Sequence, residues 1–142
     1  HRPVYTHARF LPPCESYGSE LDGVLLGDGC RVYDSRVRNS VIGLRGIVCP
    51  DAVVESSVMM GADYYETDAD REENARLRRP DMGIGEGSII ECAIVDKKAR
   101  IGRGVHIRHL PDRPDEEHEN WVAKDGLVIV PKSAVIPDGT VI

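Results

Sequence analysis

Two lysines are the residues of this chain best spaced to do chemistry together. Lys97 stands third in the six-residue unit VDKKAR that starts at Val95, and Lys132 stands third in VPKSAV from Val130. If three such units make a coil of about 18 residues, and the rest of the interval is a pure insertion, both lysines fall on one corner, one coil apart. Two ammonium groups about 5 Å apart repel by roughly 1–3 kcal/mol, depending on effective dielectric, and a bound phosphate relieves that repulsion. The pair is a candidate anion site. The plainer alternative is two solvated corner lysines.

Little else in the sequence competes for a chemical role. Cys14, Cys30, Cys49 and Cys92 contain no CxxC pair, which argues against zinc. Cys30 occupies a repeat phase otherwise taken by small core residues and reads as a buried hydrophobe. His106 and His109 have no third imidazole at repeat spacing, which argues against a metal-dependent hydratase and a His-based acyltransferase. There is no glycine-rich phosphate loop, nucleophile elbow or paired acid dyad. Asp63 and Glu66 flank Tyr64 and Tyr65, a grouping read as structural.

What must position the lysines is a repeat. Aliphatic residues recur at Ile84, Ile90, Val95, Ile101 and Ile107, six apart with one step of five. Ser88, Ile94, Ala99 and Val105 follow the leaders as second core-facing residues, and Gly85 and Gly102 directly follow two leaders. This period is the hexapeptide signature of a parallel β-helix, one short strand and one tight corner per unit. An earlier block runs from about Leu26 to Gly61, with Cys30, Gly46, Ala52 and Val58 at the small position and Arg36 breaking the rule. A last block occupies 130–142. The composition fits a narrow layered core: 41% hydrophobic but only 5% aromatic.

Two stretches interrupt the repeat. In the first, Thr67, Asp68 and Asp70 signal a helix start and Arg76, Arg78 and Arg79 its end, so 68–79 is predicted as a short exposed helix with a Glu72–Arg76 pair. The second, 108–126, carries two prolines and a cluster of acids and reads as a surface loop, with Trp121 folding back over the prism. Residues 1–19, with Pro3, Pro12 and Pro13, read as an extended connector, leaving 20–142 as the β-helix. The chain lacks an initiating methionine and reads as a piece of a longer protein. Net charge of -6 argues against nonspecific nucleic-acid binding. No apolar run suits a membrane span and no signal peptide is visible, so reduced thiols and a cytoplasmic location are expected.

Several strings carry a family likeness: Pro3-Val4-Tyr5-Thr6 with Arg9-Phe10-Leu11-Pro12-Pro13; Ser40-Val41-Ile42-Gly43-Leu44-Arg45; Met60-Gly61-Ala62-Asp63-Tyr64-Tyr65-Glu66-Thr67-Asp68; Ala93-Ile94-Val95-Asp96-Lys97; and Ile136-Pro137. On these the chain resembles the C-terminal domain of glucose-1-phosphate adenylyltransferases (ADP-glucose pyrophosphorylases) of the cyanobacterial and plant-like type. The resemblance implies an all-β fold, a left-handed parallel β-helix with one helical insertion and one loop. It implies a parent enzyme that makes ADP-glucose and pyrophosphate from ATP and glucose 1-phosphate for glycogen or starch synthesis. That enzyme uses Mg2+ and works as a homo- or hetero-tetramer. The catalytic domain is not in this chain, so the segment alone is expected to be inactive, to need no cofactor of its own and to hold no metal.

The same resemblance assigns this segment oligomer contacts and control by 3-phosphoglycerate or phosphate. It maps the effector-binding residues onto Arg9, Asp96, Lys97 and Lys132, with His7 where the family has a glutamine. A photosynthetic eukaryote would place the protein in the plastid. A standalone hexapeptide acyltransferase and a purely structural oligomerisation prism are the alternatives.

Overall fold

The computed structural model describes residues 10–142. The chain winds into a three-sided prism whose faces are parallel sheets, each successive coil adding one strand to each face. On the first face the inward residues Val32, Val48, Ile84, Ile101 and Ile136 stack in register. Val37, Val54, Ile90 and Ile107 form the second column, and Ile42, Met59, Val95 and Val130 the third. All thirteen are buried. The ladder reaches back to the strand Glu15–Tyr17, inside the stretch read from sequence as connector.

Each corner turns on one residue with positive φ, and corners come in two lengths. Where leaders are six apart, a β-turn closes on itself: Ala99 N–H donates to Asp96 O at 3.3 Å and Ala134 N–H to Pro131 O at 3.1 Å. The third turn residue is left-handed, Lys98 at φ 60° and Ser133 at φ 61°. Gly85 opens one such corner because a Cβ there would stand 2.4 Å from Gly102 O on the next coil.

Where leaders are five apart, the turn is too short for that bond, and at three such corners a hydroxyl on the adjacent coil accepts instead, as Ser88 Oγ also does from Val105 N–H at 3.0 Å in a six-residue corner. Ser57 N–H donates to Ser40 Oγ at 3.1 Å, and Ala93 N–H to Ser57 Oγ at 3.1 Å. Ser35 N–H reaches Ser19 Oγ at 3.3 Å. The hydroxyls thereby satisfy buried donors that would otherwise be orphaned.

The shorter steps correct two sequence assignments. Ser57 and Ala93 are the small inward residues, whereas Val58 is 40% exposed and Ile94 is only partly covered. Counting forward four from the leader overshoots by one across a five-residue step. The break at Arg36 has the same origin: Ser35 is the inner residue, and Arg36 points outward beside Glu20. Val58 and Ile94 instead join Leu25, Val41 and Ile129 in one register row on the outside of the third face.

The first interruption forms helix α1, Asp68–Arg76, shorter than the 68–79 expected. Thr67 caps it, its Oγ1 accepting from Asp70 N–H while Asp70 accepts from Thr67 N–H. The helix ends at a C-cap on Leu77, and Arg78 turns to φ 52°. Arg76 pairs with Glu73 through two bonds of 2.7 and 2.8 Å rather than with Glu72, because its planar fork meets the i−3 carboxylate edge on.

The second interruption contains more than a loop. Glu116–Glu117 and Val122–Lys124 pair antiparallel and extend the third face through Leu127–Val130. Trp121 packs partly buried against the core, in keeping with its expected return over the prism.

Candidate functional site

The corner from the third face to the first gathers the candidate residues. Val95 and Val130 are register partners, and Ser133 N–H donates to Lys97 O at 2.9 Å. Lys97 and Lys132 therefore occupy the same corner position on adjacent rungs, about 5 Å apart at the backbone. Lys132 is exposed, and among the described residues it pairs with no carboxylate. Lys97 is engaged: its Nζ lies 3.0 Å from Asp63 Oδ1.

Asp63, read from sequence only as part of a structural grouping, is the counter-ion of this corner. Lys98 Nζ stands 3.5 Å from its other oxygen. The hydrogen bond from the Lys97 ammonium, opposed by desolvation and helped less by Lys98, holds the Asp63 carboxyl below its ordinary value. Asp96 turns its Oδ1 back to the N–H of Lys97 at 2.6 Å. Its carboxylate shapes the corner and fixes the backbone from which Lys97 projects.

Two tyrosines extend the site up the corner. The Lys98 ammonium stands 5.8 Å from the Tyr64 ring centroid. Arg31 and Arg45 lie 4.8 and 5.9 Å from the Tyr65 ring. Tyr65 Oη donates to Gly29 O at 2.7 Å, tying the insertion to a coil two rungs away. Leu11 packs at that same glycine corner, so the segment leading into the prism passes alongside. Arg9 and His7 lie outside the described residues.

The position of Asp63 depends on how the insertion leaves and is held. It departs at Gly61, φ 82°, where a Cβ would stand 2.1 Å from Leu44 O. Glu66, three residues beyond Asp63, is the anchor. Its carboxylate takes Met82 N–H at 2.8 Å, Asn74 Nδ2 at 2.8 Å and Arg100 Nη1 at 2.6 Å. Arg100 also donates to Pro80 O, and Arg79 reaches Asn74 Oδ1 at 2.8 Å. Burial pushes the Glu66 carboxyl up, but the Met82 N–H, the Asn74 amide and the Arg100 guanidinium together outweigh it and hold it low.

A cleft of about 520 Å3 separates α1 from the first face, lined by Cys49, Arg71, Arg79, Asp81, Arg103 and Asp138 among others. Its lining mixes both signs of charge. His106 pairs in the second face, and His109 Nδ1 contacts Gly126 O at 3.1 Å, so the two imidazoles have separate settings. Among the described residues no three His, Cys, Asp or Glu side chains converge to seat a metal, and the magnesium implied for the parent enzyme finds no fit there. No described helix is long and apolar enough to cross a membrane.

Of the residues proposed from sequence, the fold brings Lys97 and Lys132 together and gives Asp96 a backbone task. Lys98, Asp63, Tyr64, Tyr65 and Arg45 join them. Asp63, Tyr64 and Tyr65 stood together in sequence as a structural grouping, whereas Lys98 had only its place beside Lys97.

Comparison with known proteins agrees with this architecture. A family model, the GLGC left-handed parallel beta-helix domain, matches residues 9–141. The small subunit of glucose-1-phosphate adenylyltransferase from Triticum aestivum, a chloroplastic/amyloplastic protein, is 39% identical over 142 residues. The alignment covers 99% of this chain but only 30% of that relative. The coils are accordingly left-handed, against the usual right-handed rule for parallel crossovers. The chain belongs to the GLGC left-handed parallel β-helix family, as a C-terminal domain of the glucose-1-phosphate adenylyltransferase type.

Proposed function

We propose that this domain is the regulatory and oligomerising part of an enzyme that makes ADP-glucose and pyrophosphate from ATP and glucose 1-phosphate. In this reading the enzyme serves glycogen or starch synthesis, in the cytoplasm or in a plastid, as a tetramer. The Lys97–Lys132 corner takes a phosphate-type effector, 3-phosphoglycerate or inorganic phosphate. Arg9 and His7 are further effector contacts in this reading, and Asp96 fixes the corner backbone. The supporting observation is the in-register stacking of the two lysines, which concentrates positive charge where one anion can contact both.

Asp63 adds a feature to this reading. It already pairs with Lys97 and Lys98, so an incoming anion competes with it. Release of Asp63 would loosen the start of the helical insertion, giving the effector a physical route from corner to domain arrangement. Such coupling is allosteric only if the anion binds two global states with different affinity. Oligomer contacts are supported by the aliphatic row outside the third face, where Leu25 is 70% and Val58 40% exposed.

Lys97→Ala and Lys132→Ala in the full-length enzyme should each raise the effector concentration for half-maximal response about tenfold or more, with basal turnover retained. Steady-state kinetics with 3-phosphoglycerate and phosphate measure this. Unchanged effector curves in both variants would remove the lysines from the site. Calorimetric titration with phosphate separates an effector domain from a purely structural prism, which has no saturable site.

A further inference from the structure

The connector meets the first coil at a pair of cysteines. Cys14 and Cys30 each directly precede strands that pair in register, Glu15 opposite Arg31. Glu15 N–H donates to Cys30 O at 2.9 Å. Cys14 Sγ donates to Gly27 O at 3.0 Å, and Cys30 N–H closes its turn on that same carbonyl at 3.3 Å. The Cys14 thiol and the Cys30 backbone N–H therefore meet at one carbonyl from neighbouring rungs. Adjacent strands stand about 4.8 Å apart, inside the Cα separation of roughly 4.4–6.8 Å that a disulfide spans. Cys14 is exposed and Cys30 fully buried.

We propose that Cys14 and Cys30 form a reversible disulfide that latches the connector onto the first coil, with a small-molecule or protein disulfide as oxidant. The exposed Cys14 thiolate attacks the disulfide R–S–S–R, giving a Cys14–S–S–R mixed disulfide and one R–SH after proton uptake. Cys30 then gives up its proton and attacks the Cys14 sulfur, expelling the second R–SH. Two thiols are oxidised and one disulfide is reduced to two thiols, so electrons and protons balance.

The order of attack follows from the settings of the two sulfurs. Burial pushes the Cys30 thiol up to about 12, with the neighbouring Cys14 sulfur adding to the rise. Cys30 therefore resolves rather than initiates. Once Cys14 is in a mixed disulfide, its charge no longer opposes ionisation of Cys30. The first coil is also where a covalent tie has most to add. Its inward-phase residue Ser16 is exposed and Leu21 is 37% exposed, so this layer buries less apolar surface than those beyond it. The inference does not rest on the effector reading.

The test uses the intact protein, equilibrated with oxidised glutathione, alkylated and mapped by mass spectrometry. The expected result is one peptide pair joined through Cys14 and Cys30, with Cys49 and Cys92 still alkylated. Amide exchange across residues 15–26 should slow about tenfold or more on oxidation and recover on reduction. Cys30→Ala, which places alanine where Ala52, Ala93 and Ala99 sit on other coils, should leave Cys14 as a glutathione adduct with no gain in protection. Cys14→Ser should leave Cys30 a free thiol under the same oxidant. The proposal fails if wild-type Cys14 accumulates as the adduct while Cys30 stays free. It fails equally if Cys14 is found joined to Cys49, Cys92 or a second copy.

Discussion

The two interruptions of the prism are held by opposite means. The first, carrying α1, is fastened by buried charge: Glu66 and Arg100 have side chains only 4% and 13% exposed, with Asn74 completing the network. The second is fastened by backbone pairing, its hairpin continuing the third face through Val122–Lys124 and Leu127–Val130. Its side chains gather at the surface, with His118 stacked on Trp121 at 3.9 Å and Arg113 standing 5.6 Å from the Trp121 ring. A side-chain clasp can be released by one competing charge or one proton, whereas a sheet extension opens only by breaking several bonds at once. The first insertion supplies Asp63 to the basic corner; the second returns the chain in register, so that Lys132 lands beside Lys97. One insertion is built to respond and the other to set spacing.

This contrast can be broken experimentally. The largest effect is expected for Glu66→Ala, which leaves Arg100 buried without its partner and should cost about 3–5 kcal/mol. Chemical denaturation followed by helical circular dichroism measures it. Trp121, the single tryptophan of the chain, reports on the hairpin in the same sample. If Trp121 emission is lost in step with the helix signal, the two insertions are not independently held.

Acid should discriminate them next. The Glu66 carboxyl is held below its ordinary value when folded. Its contribution is therefore complete above the unfolded pKa of about 4.3 and is lost as pH falls through the folded value. Thermal midpoints followed at α1 should fall as pH drops below about 4, and Glu66→Gln should flatten that dependence while lowering the plateau.

Thr67→Ala removes the side-chain half of the capping box and should cost about 1 kcal/mol, read by the same helical signal with Trp121 unchanged. The smallest expected effect is that of Asp63→Asn. It should leave the thermal midpoint nearly unmoved and tighten phosphate at the corner roughly twofold to fivefold, the scale of an exposed ion pair. Weaker phosphate binding in Asp63→Asn would show that the carboxylate organises the lysines rather than competing for them.

Much of the prism was legible in the sequence because its layers repeat in register with the aliphatic leaders. The adjacency of Lys97 and Lys132 followed from arithmetic on those leaders once the second interruption was taken as a pure insertion. Val58 and Ile94 were misplaced because the spacing was counted forward from each leader. Counted backward, the small inward residue always stands two before the next leader: Ser35 before Val37, Ser57 before Met59, Ala93 before Val95. Asp63 was not legible as a partner of Lys97, since 34 residues separate them and only the anchor at Glu66 fixes where the insertion starts. The choice of Glu73 over Glu72 by Arg76 rests on side-chain geometry that helical spacing leaves open.

The hydroxyls at the short corners have a consequence for how such a prism can change length. Removing one residue from a turn strands a backbone donor, and the acceptor that rescues it sits on the neighbouring rung, in a different stretch of chain. At two short corners that acceptor is a serine one rung away, as Ser40 is for Ser57 and Ser57 is for Ala93. Shortening would spread from rung to rung as linked pairs of changes, so a designer lengthening this domain should copy whole coils with their neighbours and never a lone turn.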